Sequence, residues 1–133
     1  MEDWEQRIEK ILGDDAERSV KNAEHYLAHL KKSLTLPLRV TGREDFPWEE
    51  PYVIGGWSQK EYTALKRTNP SYTDSFDLLD LLPPDEHEDV TAKIMRVSDG
   101  KVFTIGLSWL TTEKEEVPEF EILDDYAKWH ANY

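Results

Sequence analysis

The stretch Val90–Leu110 (VTAKIMRVSDGKVFTIGLSWL) constrains the fold most, because it has the pattern of two β-strands joined at Asp99-Gly100. An Asp-Gly pair suits a two-residue type I′ turn, in which both central residues have positive φ. Such a turn predicts a strand register with four cross-strand pairs: Val97 opposite Val102, Arg96 opposite Phe103, Ile94 opposite Ile105, and Ala92 opposite Leu107.

One face of this predicted hairpin is apolar and has the character of a core surface. It carries Val90, Ala92, Ile94, Phe103, Ile105 and Leu107. Arg96 lies on the same face at the turn end, where we expect its guanidinium to reach outward into solvent. A lone hairpin is only marginally stable in water, so the rest of the chain has to cover this face.

Composition restricts the kind of protein that this chain forms. Its 133 residues are enough for one domain with a core, and five Trp, six Tyr and four Phe are typical of a folded chain. The absence of cysteine excludes disulfides and thiol chemistry. No apolar run is long enough for a membrane span, and the N-terminus does not resemble a signal peptide, so we expect a cytoplasmic protein without membrane partners.

The net charge of −12 is unevenly distributed along the chain. Residues 1–66 hold 13 acidic and 10 basic side chains, whereas residues 67–133 hold 15 acidic and 6 basic ones. Because the second half repels a phosphate backbone, we expect no nucleic-acid partner. Cations and basic proteins are the natural ligands of such a chain.

The N-terminal part, residues 1–35, is predicted to be helical. A first helix over Asp3–Leu12 ends at Gly13, and Asp14, with Glu17 three residues on, is predicted to cap a second. The second helix has one apolar stripe with alternating four- and three-residue steps. Its members are Ala16, Val20, Ala23, Leu27, Leu30 and Leu34.

The middle of the chain, residues 36–122, is predicted to form a small barrel-like sheet. Its strands are Leu36–Gly42, a brief strand over Tyr52–Trp57, Phe76–Leu82, the hairpin, and a last short strand around Phe120 and Ile122. The pattern of Phe76–Leu82 also fits a helix face, but the run is short for a helix and Pro83-Pro84 ends it, which favours a strand. Ser58 opens a helical insertion near residues 58–68. We also expect a tight 3₁₀ turn over residues 108–110.

A terminal helix capped by Asp124 occupies residues 123–133 in this interpretation. The predicted fold class is therefore α+β. We expect a single domain over residues 1–133, with a small SH3-like, partly open β-barrel and the N-terminal and C-terminal helices packed against it.

No group of residues indicates a particular enzymatic reaction, because cysteine is absent and no serine lies in a glycine-flanked nucleophile elbow. Oxygen-rich loops are the better candidates for chemistry, since Ca²⁺ takes six to eight oxygen ligands in forgiving geometry. Two such loops supply the predicted metal ligands: Glu44, Asp45, Glu49 and Glu50 in the first, and Asp85, Glu86, Glu88 and Asp89 in the second. A third acidic loop carries Glu113, Glu115, Glu116 and Glu119.

Several motifs in order along the chain give it a likeness to a known family. They are the helix Ala23–Leu30, the Leu-Pro-Leu strand start at Leu36–Leu38, the Pro-Asp-Glu loop at Pro84–Glu86, the hairpin end at Leu107–Leu110, and the Asp-Tyr-Ala-Lys-Trp helix at Asp125–Trp129. With these motifs the chain resembles the small acidic calcium-binding proteins of the CcbP type.

The resemblance implies an α/β domain with a small barrel-like sheet, and weak calcium binding by surface carboxylates without EF-hands. The matching loop places Asp85 and Glu86 among the ligands. The chain departs from the family pattern at Pro47–Tyr72, which is longer and carries its own helix.

Two functions remain open from the sequence. The first is a non-enzymatic calcium-binding protein that acts as a buffer or a sensor, with Ca²⁺ as its cofactor. The second is an acidic interaction module whose partner is a basic protein, as in inhibitor or immunity-type proteins.

Overall fold

Five antiparallel strands form the sheet at the centre of the computed structural model, which describes residues 3–133. The strands are β1 (Leu38–Gly42), β2 (Ser75–Leu82), β3 (Thr91–Arg96), β4 (Val102–Gly106) and β5 (Leu110–Thr112). Their order in the sheet is β4-β3-β2-β1-β5. Consecutive strands β1 to β4 therefore lie side by side, and β5 returns to pair with β1.

The helices complete an α+β fold, which confirms the predicted class. They are α1 (Trp4–Leu12), α2 (Val20–Ser33), α3 (Glu50–Val53), α4 (Gln59–Leu65) and α5 (Pro118–Asn132). A 3₁₀ turn over Leu107–Trp109 joins β4 to β5, close to the predicted turn. Strands β4 and β5 are the two edges of an open sheet, so the SH3-like barrel stays a prediction. None of the described helices is both long and apolar enough to cross a membrane.

The central hairpin exists, but the predicted register is wrong by two residues. Ile94 lies opposite Phe103, and Met95 lies opposite Val102. The backbone of Arg96 closes the loop by donating to the carbonyl of Lys101 at 2.8 Å, so four residues rather than two form the turn. A shift of two residues leaves every side chain on its predicted face, because the side-chain period of a strand is two.

The side chain of Arg96 is buried, contrary to the expectation that it reaches solvent. Its Nε and Nη2 atoms hold both carboxylate oxygens of Asp99 at 3.1 and 2.8 Å, and Nη1 lies 3.0 Å from Asp74. The remaining bonds go to three carbonyl oxygens just after α4, those of Lys66, Arg67 and Asn69. Arg96 therefore fastens the end of the helical insertion to the hairpin.

Aromatic side chains from α2 and α5 pack together against the sheet. The rings of Tyr26 and Tyr126 meet edge to face with centroids 4.9 Å apart, and Trp129 contacts both. All three side chains are almost fully buried. The indole of Trp129 also donates to the carbonyl of Ala16 at 2.7 Å, which satisfies its polar atom inside the core.

The N-cap of helix α2 lies five residues later than the predicted cap at Asp14. Ser19 is the N-cap and accepts from the backbone of Asn22. The amide of Asn22 donates to the carbonyls of Asp15 and Glu17, which holds the preceding segment out of the helix. Consequently Val20 is half exposed instead of lying in the buried stripe. The predicted α1 is confirmed over Trp4–Leu12, while Met1 and Glu2 lie outside the described residues.

Other corrections concern segments with weak strand patterns. Helix α5 starts at Pro118, so the predicted strand at Phe120 and Ile122 is wrong and Asp124 lies inside the helix. Proline at the first helical turn is favourable because its missing N–H has no intrahelical partner. The predicted strand over residues 52–57 is also wrong, since α3 and a loop occupy it. Strands over Phe76–Leu82 and Leu38–Gly42 and the helix after Ser58 are confirmed.

We expect Arg96→Gln to destabilise the fold by about 3–5 kcal/mol, because it leaves Asp74 and Asp99 without their cation and several carbonyls without a donor. Urea unfolding followed by Trp fluorescence measures the change. Arg39→Gln is the matched control, since Arg39 pairs with Asp77 on an exposed face of the sheet. Equal losses in the two variants would contradict the role of Arg96.

The ion pair between Arg96 and Asp99 also predicts that the free energy of unfolding depends on pH in the acid range. The hydrogen bond from Arg96, with one from the backbone of Lys101, lowers the pKa of Asp99 to about 2. Because its pKa is higher in the unfolded chain, the unfolded state takes up the proton first, and stability is lost as the pH falls from about 4 towards 2. Unfolding curves of Asp99→Asn should show less pH dependence in this window than those of the unmodified protein.

Candidate functional site

A cleft of about 630 Å³ lies between the C-terminal end of α5 and the loops that follow β1 and precede β3. Acidic and basic side chains both line it. The acidic ones are Glu44, Asp85, Glu88 and Asp89, and the basic ones are Arg18, Arg43 and Lys128. The cleft therefore brings together residues that are as far as 110 positions apart in sequence.

The loop Asp85–Asp89 forms the acidic side of this cleft, and its shape is set by its own first residue. The Oδ1 atom of Asp85 accepts from the backbones of His87 at 2.8 Å and Asp89 at 3.2 Å. The backbone of Asp85 donates to the carbonyl of Asp89 at 2.9 Å, which closes the loop. Such side-chain-to-backbone bonds are the reason that Asp is favoured in turns. Glu86 and Glu88 are left to face outward or into the cleft.

Two contacts tie this loop to its surroundings. The Nε2 atom of His130 lies 2.9 Å from the carbonyl oxygen of His87. The Nε atom of Arg18 lies 3.9 Å from the carboxylate of Glu88, and another Arg18 nitrogen donates to the carbonyl of His130. Arg18 therefore places a positive charge beside one of the predicted metal ligands.

Asp89 is buried and serves as the anchor of the loop. Its carboxylate accepts from the hydroxyl of Ser108 at 2.6 Å, from the backbone of Ser108 at 3.2 Å, and from the hydroxyl of Tyr126 at 2.7 Å. The Tyr126 hydroxyl in turn accepts from the backbone of Val90. Burial, with the nearby Asp89 charge, raises the pKa of Tyr126 well above its usual range. Asp89 thus joins the loop to the 3₁₀ turn and to α5.

The approach between Asp89 and the sheet is close enough to require glycine at position 106. A Cβ atom at Gly106 would lie 2.2 Å from Oδ2 of Asp89, far inside van der Waals contact. Gly106 is therefore part of the support for the acidic loop, although it carries no side chain.

Glu49, also a predicted ligand, is buried away from the cleft. Its carboxylate accepts from the Tyr62 hydroxyl at 2.5 Å, the Ser71 hydroxyl at 2.8 Å, and the backbones of Tyr72 and Phe46. Burial and the bond to Glu49 raise the pKa of Tyr62 to about 12. These four donors give Glu49 a structural role, which is to hold the insertion against the chain before β2.

The remaining predicted ligands divide between the cleft and the surface. Glu44 lines the cleft together with Asp85 and Glu88, so the two acidic loops do meet there. Asp45, Glu50 and Glu86 do not line it. Within residues 3–133, no three His, Asp or Glu side chains are already arranged to hold a metal ion. The ligand set therefore stays a prediction.

The basic wall of the cleft was not found from the sequence. Asp124 lies between Arg43 and Lys128, 3.0 Å from a nitrogen of each. Burial acts to raise the pKa of Asp124, but the hydrogen bonds from Lys128 and Arg43 outweigh it and hold that pKa below its usual value. Arg43 and Asp124 are 81 positions apart, so no local sequence pattern indicated this cluster.

The fold is similar to that of two solved structures, one of them a calcium binding protein in the calcium-binding form. That structure is 21% identical in sequence, with a TM-score of 0.59, and the match covers 96% of this chain and 89% of the other. The crystal structure of Anabaena CcbP is also 21% identical, with a TM-score of 0.60, and the match covers 98% of this chain and 93% of that one. The resemblance to CcbP-type proteins is thus confirmed at the level of the fold. No protein-family model matches the chain, and no curated protein matches it in sequence.

Removal of one hydroxyl tests the support of the acidic loop. Tyr126→Phe leaves the backbone N–H of Val90 without its acceptor and removes a donor from Asp89, both in the interior. We expect a loss of about 1–3 kcal/mol in the free energy of unfolding. Chemical denaturation measures it, with Tyr133→Phe, at a partly exposed tyrosine, as the control. A change no larger than that of the control would contradict the anchoring role.

Proposed function

We propose that this chain is a non-enzymatic calcium-binding protein, in which carboxylates of the loop Asp85–Asp89 bind the ion together with Glu44 across the cleft. The observation that carries the proposal is the meeting of two acidic loops, about 40 positions apart in sequence, at one cleft. The fold shared with solved calcium-binding proteins supports the same conclusion.

The available oxygen atoms suit calcium better than a smaller ion. The hydrogen bonds of Asp85 within the loop involve Oδ1, which leaves Oδ2 for a ligand. Glu44 and Glu86 are exposed, and Glu88 is partly exposed. Flexible carboxylates and loop carbonyls suit the irregular coordination of Ca²⁺, whereas Mg²⁺ demands a near-ideal octahedron and gives up its water reluctantly.

Other predicted ligands have supporting roles in this proposal. Asp89 and Glu49 are committed to internal donors and hold the two loops in place. Asp45 and Glu50 contribute negative charge near Glu44. Because the coordinating side chains are solvent-accessible and Arg18 lies close to Glu88, we expect weak binding.

Calorimetric titration with Ca²⁺ and Mg²⁺ near physiological salt tests the proposal. We expect saturable heat with Ca²⁺, little response to Mg²⁺, and a rise in melting temperature with Ca²⁺, because an ion that binds the folded state stabilises it. Far-UV circular dichroism during the same titration distinguishes a sensor, which changes shape, from a buffer, which keeps its shape.

A pair of double variants makes the test specific for the loop. Asp85→Asn with Glu86→Gln removes one charge that lines the cleft and one that neighbours it in the same loop, and the Asn side chain keeps the oxygen that accepts from the loop backbone. Glu115→Gln with Glu116→Gln removes two charges from the third acidic loop and is the matched control. We expect loss of the Ca²⁺ heat in the first double variant alone. Weak and equal heats for both ions in the unmodified chain would contradict calcium binding and favour a basic protein partner.

A further inference from the structure

Two arginines of this chain hold a carboxylate with the same edge of the guanidinium group. Arg7 donates from Nε and Nη2 to the two carboxylate oxygens of Asp125, at 2.7 and 3.0 Å. Arg96 uses Nε and Nη2 for both oxygens of Asp99, at 3.1 and 2.8 Å. This side-on arrangement gives two parallel charge-assisted hydrogen bonds, and it is among the strongest polar contacts in proteins.

Arg43 differs from these two arginines at the same edge. Its Nη1 atom donates to Asp124 at 3.0 Å, but its Nε and Nη2 atoms are buried and have no hydrogen-bond partner in the described chain. Buried donors of a charged group are rarely left unpaired, because the desolvation cost is then not offset. Arg43 itself lines the cleft, so these two covered donors lie next to a space large enough for a small molecule.

We propose that the cleft binds a small organic carboxylate through the Nε–Nη2 edge of Arg43. The two arginine–aspartate pairs show that this chain already uses the geometry for carboxylates. Lys128 and Arg18 also line the cleft and add positive charge to it, Lys128 beside Asp124 and Arg18 beside Glu88. The edge is shielded from solvent, so binding through it requires that the atoms covering it move aside.

The acidic side of the same cleft restricts the ligand further. Asp85, Glu88 and Glu44 face the space that the ligand enters, and they repel each added negative charge. A singly charged carboxylate is therefore favoured over a phosphate, although both can offer two oxygens to the guanidinium edge. This site does not depend on the proposed calcium site, because it uses the guanidinium group of Arg43 and none of the carboxylates proposed to bind calcium.

Nuclear magnetic resonance in calcium-free buffer tests the proposal with acetate as the probe. The readouts are the Nε–H signal of Arg43 and the backbone amides of Gly106 and Ser108, which line the cleft. Sodium chloride at equal ionic strength controls for screening, and inorganic phosphate is the second anion. We expect saturable shifts with acetate, smaller shifts with phosphate, and none that saturate with chloride.

Arg43→Lys keeps the positive charge beside Asp124 but lacks the two-donor edge. We expect acetate to bind it about tenfold more weakly, which corresponds to the loss of one charge-assisted hydrogen bond. Arg39→Lys, at an exposed arginine paired with Asp77, is the matched control and should bind acetate like the unmodified chain. The proposal is overturned if acetate and chloride act alike, if phosphate binds more tightly than acetate, or if Arg43→Lys binds acetate unchanged.

Discussion

The buried carboxylate of Asp89 is the interaction on which the candidate site depends. It receives hydrogen bonds from a 3₁₀ turn and from α5, and it ends the acidic loop that faces the cleft. A buried charge without a counter-cation is tolerable only when several donors replace the water it has lost. Ser108 and Tyr126 supply these donors. The buried carboxylate of Asp89 therefore fixes the loop that carries the more exposed carboxylates of Asp85, Glu86 and Glu88.

The same physical solution recurs at two other places in the chain. Glu49 accepts hydrogen bonds from three donors of the insertion and the segment before β2 and from the backbone of Phe46, and Arg96 donates to acceptors at the other end of the insertion. Polar groups with every bond satisfied specify one arrangement more narrowly than apolar packing does. These contacts explain how a chain with high charge and a thin apolar pattern in its middle keeps that middle in place.

The sequence predicted the elements whose patterns are local and failed where distant residues decide. The strand patterns of β2, β3 and β4 identified the sheet, and Gly13 marked the end of α1, whereas the capping role of Asp3 was not predicted. The predicted hairpin register was wrong because Arg96 binds the side chain of Asp99 within a longer loop. The predicted start of α2 was wrong because the side chain of Asn22 donates to the carbonyls of Asp15 and Glu17, which lie before the helix. At the candidate site, the acidic loops could be predicted from their runs of Asp and Glu. The role of Arg43 could not, because it depends on Asp124 and on the cleft, which only the fold brings close to it.

The segment Pro47–Tyr72, which contains the helical insertion, is fixed near both of its ends, by Glu49 at the start and by the bonds of Arg96 to residues 66–69 at the finish. Its outermost residues, Ile54 and Trp57, are exposed. When the ends of a loop are fixed, the entropic cost of closing it rises only slowly with the number of residues between them. The exposed loop between these two clamps is consequently a place where a grafted peptide can be inserted without disturbing the sheet.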